Sequence, residues 1–337
     1  VIRLAWRQFR TEASIGIAAL VVVAVVLAVT GPHLVAVYRS APSELSSTDH
    51  ALQVALPVLL LLTPALVGIF FGAPVVAREL ETGTYRLAFT QSVTRRRWLV
   101  VKFALLGLAG SALAGGLGLM AAWWANPIII TNQNRFTPSL FGIIGIVPFG
   151  YGLFAFALGA TLGLLFRKTL PAMAATLVGY IGARLAVTYW VRPHFEAPLR
   201  MTEPLRSGMG LDFSSTSSGL SVTVGPPSIP NAWPLSAEIV DKTGTAPTST
   251  SLAAACPGLT GPTQSVGRIA GGAHTRPVPG GSMQTCVAHL ASKFHTVIAY
   301  QPANRYWPFQ IYETALFIVL ALALAGLSLL WVRRHLT

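Results

Sequence analysis

The residues able to do chemistry are few in this chain, and their spacing argues against catalysis. His274, His289 and His295 are the nearest thing to a metal-binding set. No two of them stand four residues apart on one helix face, and no acidic ligand is close by, so a metal site is not expected. The chain has no His-Glu-x-x-His and no Gly-x-Ser-x-Gly, the spacings that present a zinc pair or an elbow nucleophile. It has no Gly-Lys dipeptide either, so no phosphate-binding loop. The reading is of a chain that is not an enzyme and carries no cofactor of its own. Charge instead gathers in Arg78 to Trp98, RELETGTYRLAFTQSVTRRRW, which holds Glu79 and Glu81 among Arg78, Arg86, Arg95, Arg96 and Arg97. The arginines can be explained by membrane orientation alone. Two carboxylates in a basic segment need another reason, and pairing with groups of a second protein would be one.

The elements that position this segment are set by composition. Hydrophobic residues make up 53% of 337 and charged residues 10%. A soluble domain carries about 25% charged residues, so the bilayer must be the main solvent. The net charge of +13 is distributed as a topology signal rather than as a nucleic-acid footprint. About 20 apolar residues cross the hydrocarbon, and six stretches qualify: 15–38, 51–77, 103–130, 136–166, 169–191 and 314–332. The fold class expected is an all-α polytopic membrane protein of six helices, with a small mixed α/β or loop-rich external domain. Lys and Arg crowd the N-terminal segment (Arg3, Arg7, Arg10), the second gap, the fourth gap (Arg167, Lys168) and the C-terminus (Arg333, Arg334). By the positive-inside rule these face the cytoplasm, both termini included.

The domain plan is therefore an interfacial helix over 1–14, helices one to five within 15–191 with the charged loop 78–98, an extracytoplasmic domain over 192–310, and the last helix and tail over 311–337. Residues 1–14 read either as an amphipathic helix on the inner surface or as a basic flank. A signal peptide is disfavoured by the length of the first run. Pro57, Pro64 and Pro74 should bend the second span. Small residues at four-residue steps (Gly107, Ser111, Gly115; Gly159, Gly163; Ala175, Gly179, Ala183) suit close helix packing, within one chain or between two. Arg184 is the sole charge within a span. It reads as a pathway or gating residue, or as half of an ion pair with Glu313 at the start of the last span.

The 192–310 segment is rich in proline, glycine, serine and threonine. Leu220 to Val224 alternates like a strand, and Cys286 to Tyr300 reads as an amphipathic helix. Cys256 and Cys286 share this segment, and a disulfide between them is expected in an oxidising compartment.

Within the charged loop, Gly83 suits a helix C-cap and Thr94 an N-cap, so the layout is a helical hairpin. Here the sequence resembles the membrane permeases of type-2 ABC transporters, chiefly unfused bacterial exporters. Glu79-Leu80-Glu81-Thr82-Gly83-Thr84 and Leu87 to Trp98 carry the likeness, with a weaker match over Tyr300 to Gln310. The resemblance implies a solute-conducting dimer, with a second permease copy or a paralogue, in the bacterial cell membrane. A separate ABC ATP-binding subunit, holding ATP and Mg, would grip the loop through Glu79, Glu81, Gly83, Thr84, Arg95, Arg96 and Arg97. The other expected partners are membrane lipid and a hydrophobic or amphipathic solute moved outward, not nucleic acid. The alternative is a membrane-anchored sensor or interaction protein whose external domain binds a ligand or partner. A proton- or sodium-coupled transporter is weakened because no Asp or Glu falls inside the six stretches.

Overall fold

The computed structural model describes residues 18, 21–32, 36, 47–83, 94–131, 135–205, 210–216, 219–225, 229–256, 265–266 and 280–335. The chain divides into two compact units, Val1–Phe195 with Tyr306–Thr337, and Glu196–Arg305.

In the first unit, α1 (Val21–Pro32) is apolar but short among the described residues. α2 (Ser47–Leu66) passes through a π-helical turn, Val67–Gly72, into α3 (Ala73–Glu81). α4 (Arg95–Thr131), a short α5 (Pro138–Phe141), α6 (Val147–Phe166), α7 (Thr169–Ala186) and α10 (Tyr306–His335) follow. Beyond Ala186 the chain stays helical to His194 through a π turn and a 3-10 turn. Five of these runs are long and apolar enough to cross a membrane: Pro57–Glu81, Arg96–Trp124, Val147–Phe166, Thr169–His194 and Ala303–Arg334. Leu170, Val178 and Trp190 are 78%, 71% and 72% exposed, a surface that a hydrocarbon solvent tolerates and water does not. The interfacial segment 1–14 lies outside the described residues.

α6 is the central helix of this unit, and glycine explains how closely its neighbours approach. A Cβ at Gly159 would stand 2.3 Å from the Gly68 carbonyl oxygen, and one at Gly163 would stand 2.7 Å from that of Ala73. Small residues here let two backbones touch. On α4, a Cβ at Gly115 would run into the Phe149 ring, and the Ser111 hydroxyl donates to the Phe149 carbonyl at 2.7 Å. The small-residue steps of α4 and α6 are thus occupied inside one subunit. Between Pro64 and Pro74 the second span contains the π turn, a device that commonly accompanies a helix bend.

The apolar stretch 136–166 is not a single helix, contrary to its hydropathy. α5 stops at Phe141, a turn with Gly145 at φ 83 follows, and α6 starts at Val147 with Pro148 in its first turn. Glycine and an early proline suit such a break. Phe136, Phe141, Ile143 and Ile144 are buried within it.

The second unit holds two three-stranded antiparallel sheets. One has the order β1 (Leu199–Pro204), β6 (Phe294–Gln301), β4 (Trp233–Asp241). The other has the order β3 (Gly219–Val224), β2 (Leu211–Thr216), β5 (Ser265–Val266). The strand expected at Leu220 to Val224 is present. The helix expected from Cys286 to Tyr300 is α9 (Gly280–Lys293) only as far as Lys293. The remainder is β6, where Phe294, Thr296 and Ile298 are buried on one face. This strand is paired on both sides, with β1 and with β4. At the end of β4 the Asp241 carboxylate accepts from Thr243 Oγ1 at 2.6 Å and from the Thr245 N–H at 2.9 Å. Those bonds, the hydroxyl's first, hold its pKa below the usual carboxylate range.

Cys286 on α9 and Cys256, at the end of α8 (Ser249–Ala255), form a disulfide. It sits in a core with Leu211, Phe213, Leu252 and Leu290. Closing this 30-residue separation should stabilise the unit by ~3–4 kcal/mol on the chain-entropy estimate. The Cys256→Ser/Cys286→Ser chain should accordingly be cut within residues 196–305 by a low dose of protease that leaves the oxidised chain intact. Equal protection of the two chains would contradict this.

Candidate functional site

Two polar clusters stand out in the membrane unit. The first is the base of the charged hairpin. α3 ends with the Thr82 N–H and hydroxyl both donating to the Arg78 carbonyl, at 3.0 and 2.8 Å. Gly83 follows at φ 72, the left-handed cap that glycine adopts without strain. Residues 84–93, Thr84 among them, lie outside the described residues. On the return, Thr94 Oγ1 accepts from the Arg97 N–H at 3.4 Å, and α4 begins. Both caps fall where the sequence places them.

Each carboxylate has a partner within the chain, Glu79 half-buried and Glu81 exposed. Glu79 pairs with Lys102 of α4 at 2.6 Å, with side-chain exposures of 21% and 8%. Lys102 also donates to the Val75 carbonyl at 3.1 Å and sits 4.5 Å over the Trp98 ring. A buried ammonium needs such partners. Glu81 accepts from the Thr169 N–H at 3.1 Å and hydroxyl at 2.7 Å. It therefore fills the first turn of α7, where free N–H groups and the helix dipole favour an anion. The reason these two carboxylates stand in a basic segment is in large part internal: one ties α3 to α4, the other ties α3 to α7. Arg96 and Arg97 are exposed; the side chain of Arg95 lies outside the described residues.

The second cluster is buried among α6, α7 and α10. Arg192 and Glu313 are both fully buried. Arg192 Nε and Nη2 donate to the two Glu313 oxygens at 2.7 and 2.9 Å, the bidentate fork that guanidinium geometry favours. The Tyr151 hydroxyl donates to the same carboxylate. Arg192 Nη2 also reaches Thr188 Oγ1 at 3.4 Å, and its Cζ lies 4.1 Å from the Phe141 ring centre. Its Nη1 has no hydrogen-bond partner among the described residues. Glu313 therefore pairs with Arg192, and the expected pair with Arg184 is not what forms. Arg184 donates instead to the Leu61 carbonyl at 3.1 Å and the Tyr180 hydroxyl at 3.4 Å, and it lies 4.7 Å from the Tyr151 ring.

Sequence reading missed Arg192 because Arg192-Pro193 looked like the start of a loop. The signal was nonetheless present. Tyr180, Arg184, Thr188 and Arg192 recur every four residues, one stripe of a helix that runs past Val191. The last helix likewise starts at Tyr306, well before Thr314, which places Glu313 inside a span. A carboxylate does therefore lie within a candidate span, contrary to the expectation from the six stretches.

Gln310, one turn before Glu313, organises the break between α5 and α6. Its Oε1 accepts from the Ile146 and Val147 N–H groups, both at 3.1 Å, capping α6. Its Nε2 donates to the Phe141 and Ile144 carbonyls at 3.1 and 3.2 Å. In the second unit, Gln301 donates to the Glu196 carbonyl at 2.8 Å, and Arg305 pairs with Glu196 at 2.7 Å. The Tyr300 to Gln310 segment thus supplies side chains that fasten each unit from within. His289 lies on α9 and His295 on β6; His274 lies outside the described residues.

A family model described as ABC-2 membrane transporter related matches residues 17–192. The matched region contains the hairpin, Tyr151, Arg184 and Arg192, and stops before the second unit. No curated protein and no solved structure matches the chain.

Proposed function

The chain belongs to the ABC-2 membrane transporter related family, and from that premise we propose that it is the membrane-spanning permease subunit of an ATP-driven exporter. It works as a dimer with a second copy or a paralogue, in the bacterial cell membrane, with six spans and both termini inside. ATP and Mg bind on a separate ATP-binding subunit. That subunit grips the 78–98 hairpin and delivers conformational work through it, and a hydrophobic or amphipathic solute moves outward.

The observation that carries this reading is the double anchorage of the hairpin base. Through Glu79 it is tied to Lys102 on α4, and through Glu81 to the start of α7. A push on the hairpin is therefore shared by three membrane helices instead of bending a free loop. Gly83 turns the chain out of α3 at the hairpin base, Thr84 meets the ATP-binding subunit, and Arg95, Arg96 and Arg97 set the hairpin's depth against the lipid headgroups.

The test is coupling in proteoliposomes holding the chain and the ATP-binding subunit that co-purifies with it. Changing Glu79→Ala and Glu81→Ala together should leave the complex assembled and lower permease-dependent stimulation of ATP hydrolysis on the order of tenfold, the lower part of the ~1–3 kcal/mol range of coupling energies. Undiminished stimulation, or a chain that purifies with no ATP-binding subunit at all, would count against the proposal.

A further inference from the structure

A groove of about 350 Å3 runs along the membrane unit between α4, α6 and α10. Leu99, Phe103, Leu108, Leu153, Leu322 and Leu329 form much of its wall, and no polar side chain lines it. On α4 the lining extends from Leu99 to Leu108, ~14 Å at 1.5 Å per residue. That is about half of the ~30 Å hydrocarbon core, or one leaflet.

One end of the groove is basic. Arg96 stands three and four residues before Leu99 and Val100, and Arg333 stands four residues after Leu329. Each is one helical turn beyond the lining residues on the same face, and both are exposed. An apolar slot one leaflet long, with an exposed arginine one helical turn beyond the same end on each of two flanking helices, suits the shape and charge of an anionic phospholipid.

We propose that this groove binds one acyl chain of an anionic phospholipid, with its phosphate held between Arg96 and Arg333. A zwitterionic lipid would bring the same phosphate with an ammonium beside it, so that its net charge would not offset the two arginines. A second copy seated here about a two-fold axis would set the same patch against itself, bringing Arg96 and Arg333 of both chains together. The proposal does not depend on the direction of transport or on the identity of the solute.

The test uses the full chain in nanodiscs of phosphatidylcholine with a minor fraction of phosphatidylglycerol, released gently and weighed by native mass spectrometry. Phosphatidylglycerol should be retained in preference to phosphatidylcholine by on the order of tenfold, given the usual attraction of anionic lipid to each basic side chain at the surface. Arg96→Gln with Arg333→Gln should abolish that preference. Ala104→Phe, which fills the groove from an exposed position, should lose both lipids while the arginines remain. Inorganic phosphate at millimolar concentration should not displace the bound lipid. Equal retention of the two lipids by the unaltered chain, or a preference that survives the glutamine pair, would overturn the proposal. So would displacement by phosphate alone. Ala104→Phe chains that keep their lipid but lose self-association would mark the groove as a contact between copies, and overturn it too.

Discussion

Arg192→Ala should destabilise the membrane unit by ~3–5 kcal/mol, the range found when one partner of a buried ion pair is removed. Glu313 accepts both arms of the Arg192 fork and the Tyr151 hydroxyl at a site with no exposure. Taking the guanidinium away leaves a carboxylate in a low-dielectric setting with a single phenol for support. Glu313→Ala should cost a similar amount for the converse reason, since among the described residues Arg192 Nη1 already lacks a hydrogen-bond partner. The informative variant removes both charges: Arg192→Met with Glu313→Leu should recover most of the loss, because well-packed apolar replacements of buried pairs are often neutral. Thermal unfolding followed by intrinsic tryptophan fluorescence is the suitable measurement, since both cysteines are disulfide-bonded and offer no thiol to a dye. A single variant that melts with the unaltered chain would sink this account. So would a double variant no more stable than the singles.

That cluster also marks where sequence reasoning stopped. Five of the six expected spans correspond to long apolar helices, because hydrocarbon imposes a length and a composition that a sequence must display. The first of the six is represented among the described residues by α1, whose Thr30 hydroxyl accepts from Trp124 Nε1 at 3.2 Å. Helix caps were equally legible at Gly83 and Thr94, since a cap is a local device. Partner choice was not. Arg184 on α7 and Arg192 on its helical continuation lie on one stripe, eight residues and ~12 Å apart, and which of them meets Glu313 depends on how that helix and α10 are set against each other. Nor could hydropathy see the break before α6, because a charge-free run stays charge-free whether or not it turns. Gly142, Gly145 and Pro148 were the cue, and the acceptor and donors that make the turn affordable belong to Gln310, more than 160 residues away. At Phe294 the apolar spacing of Val287, Leu290, Phe294 and Val297 fits a helix, and the alternation from Phe294 onward fits a strand. Pairing with β1 and β4 decides the matter, and that information is not local. Glu79 and Glu81 show the same limit. Their position in a basic segment predicts that each needs a partner, while Lys102 and Thr169 come from α4 and from the far side of α6.

Gly159→Ala should be among the most damaging single substitutions in the chain, although it adds one methyl group. Its Cβ would stand 2.3 Å from the Gly68 oxygen and 2.7 Å from the Ala73 nitrogen. Those two atoms are hydrogen-bonded to each other, for the Ala73 N–H donates to the Gly68 carbonyl to close the π turn of the second span. The methyl would therefore press on that bond from the side, where no side chain can rotate away and only backbone can yield. Adding a methyl group to a packed site usually costs ~1–3 kcal/mol. Here relief requires α6 to draw back from α2 and α3, and a gap of even 0.5–1 Å forfeits about a quarter to a half of the dispersion energy at each contact. The expected loss for alanine is thus above ~3 kcal/mol, and Gly159→Leu should yield no monodisperse protein. Gly182 on α7 provides the control, because nothing lies within 4 Å of the Cβ it would carry. Gly182→Leu should extract and melt with the unaltered chain, and on helix propensity it should gain slightly. If Gly159→Ala and Gly182→Leu proved equally stable by size-exclusion profile and tryptophan-detected melting, backbone contact would not be what seats α6 against the second span.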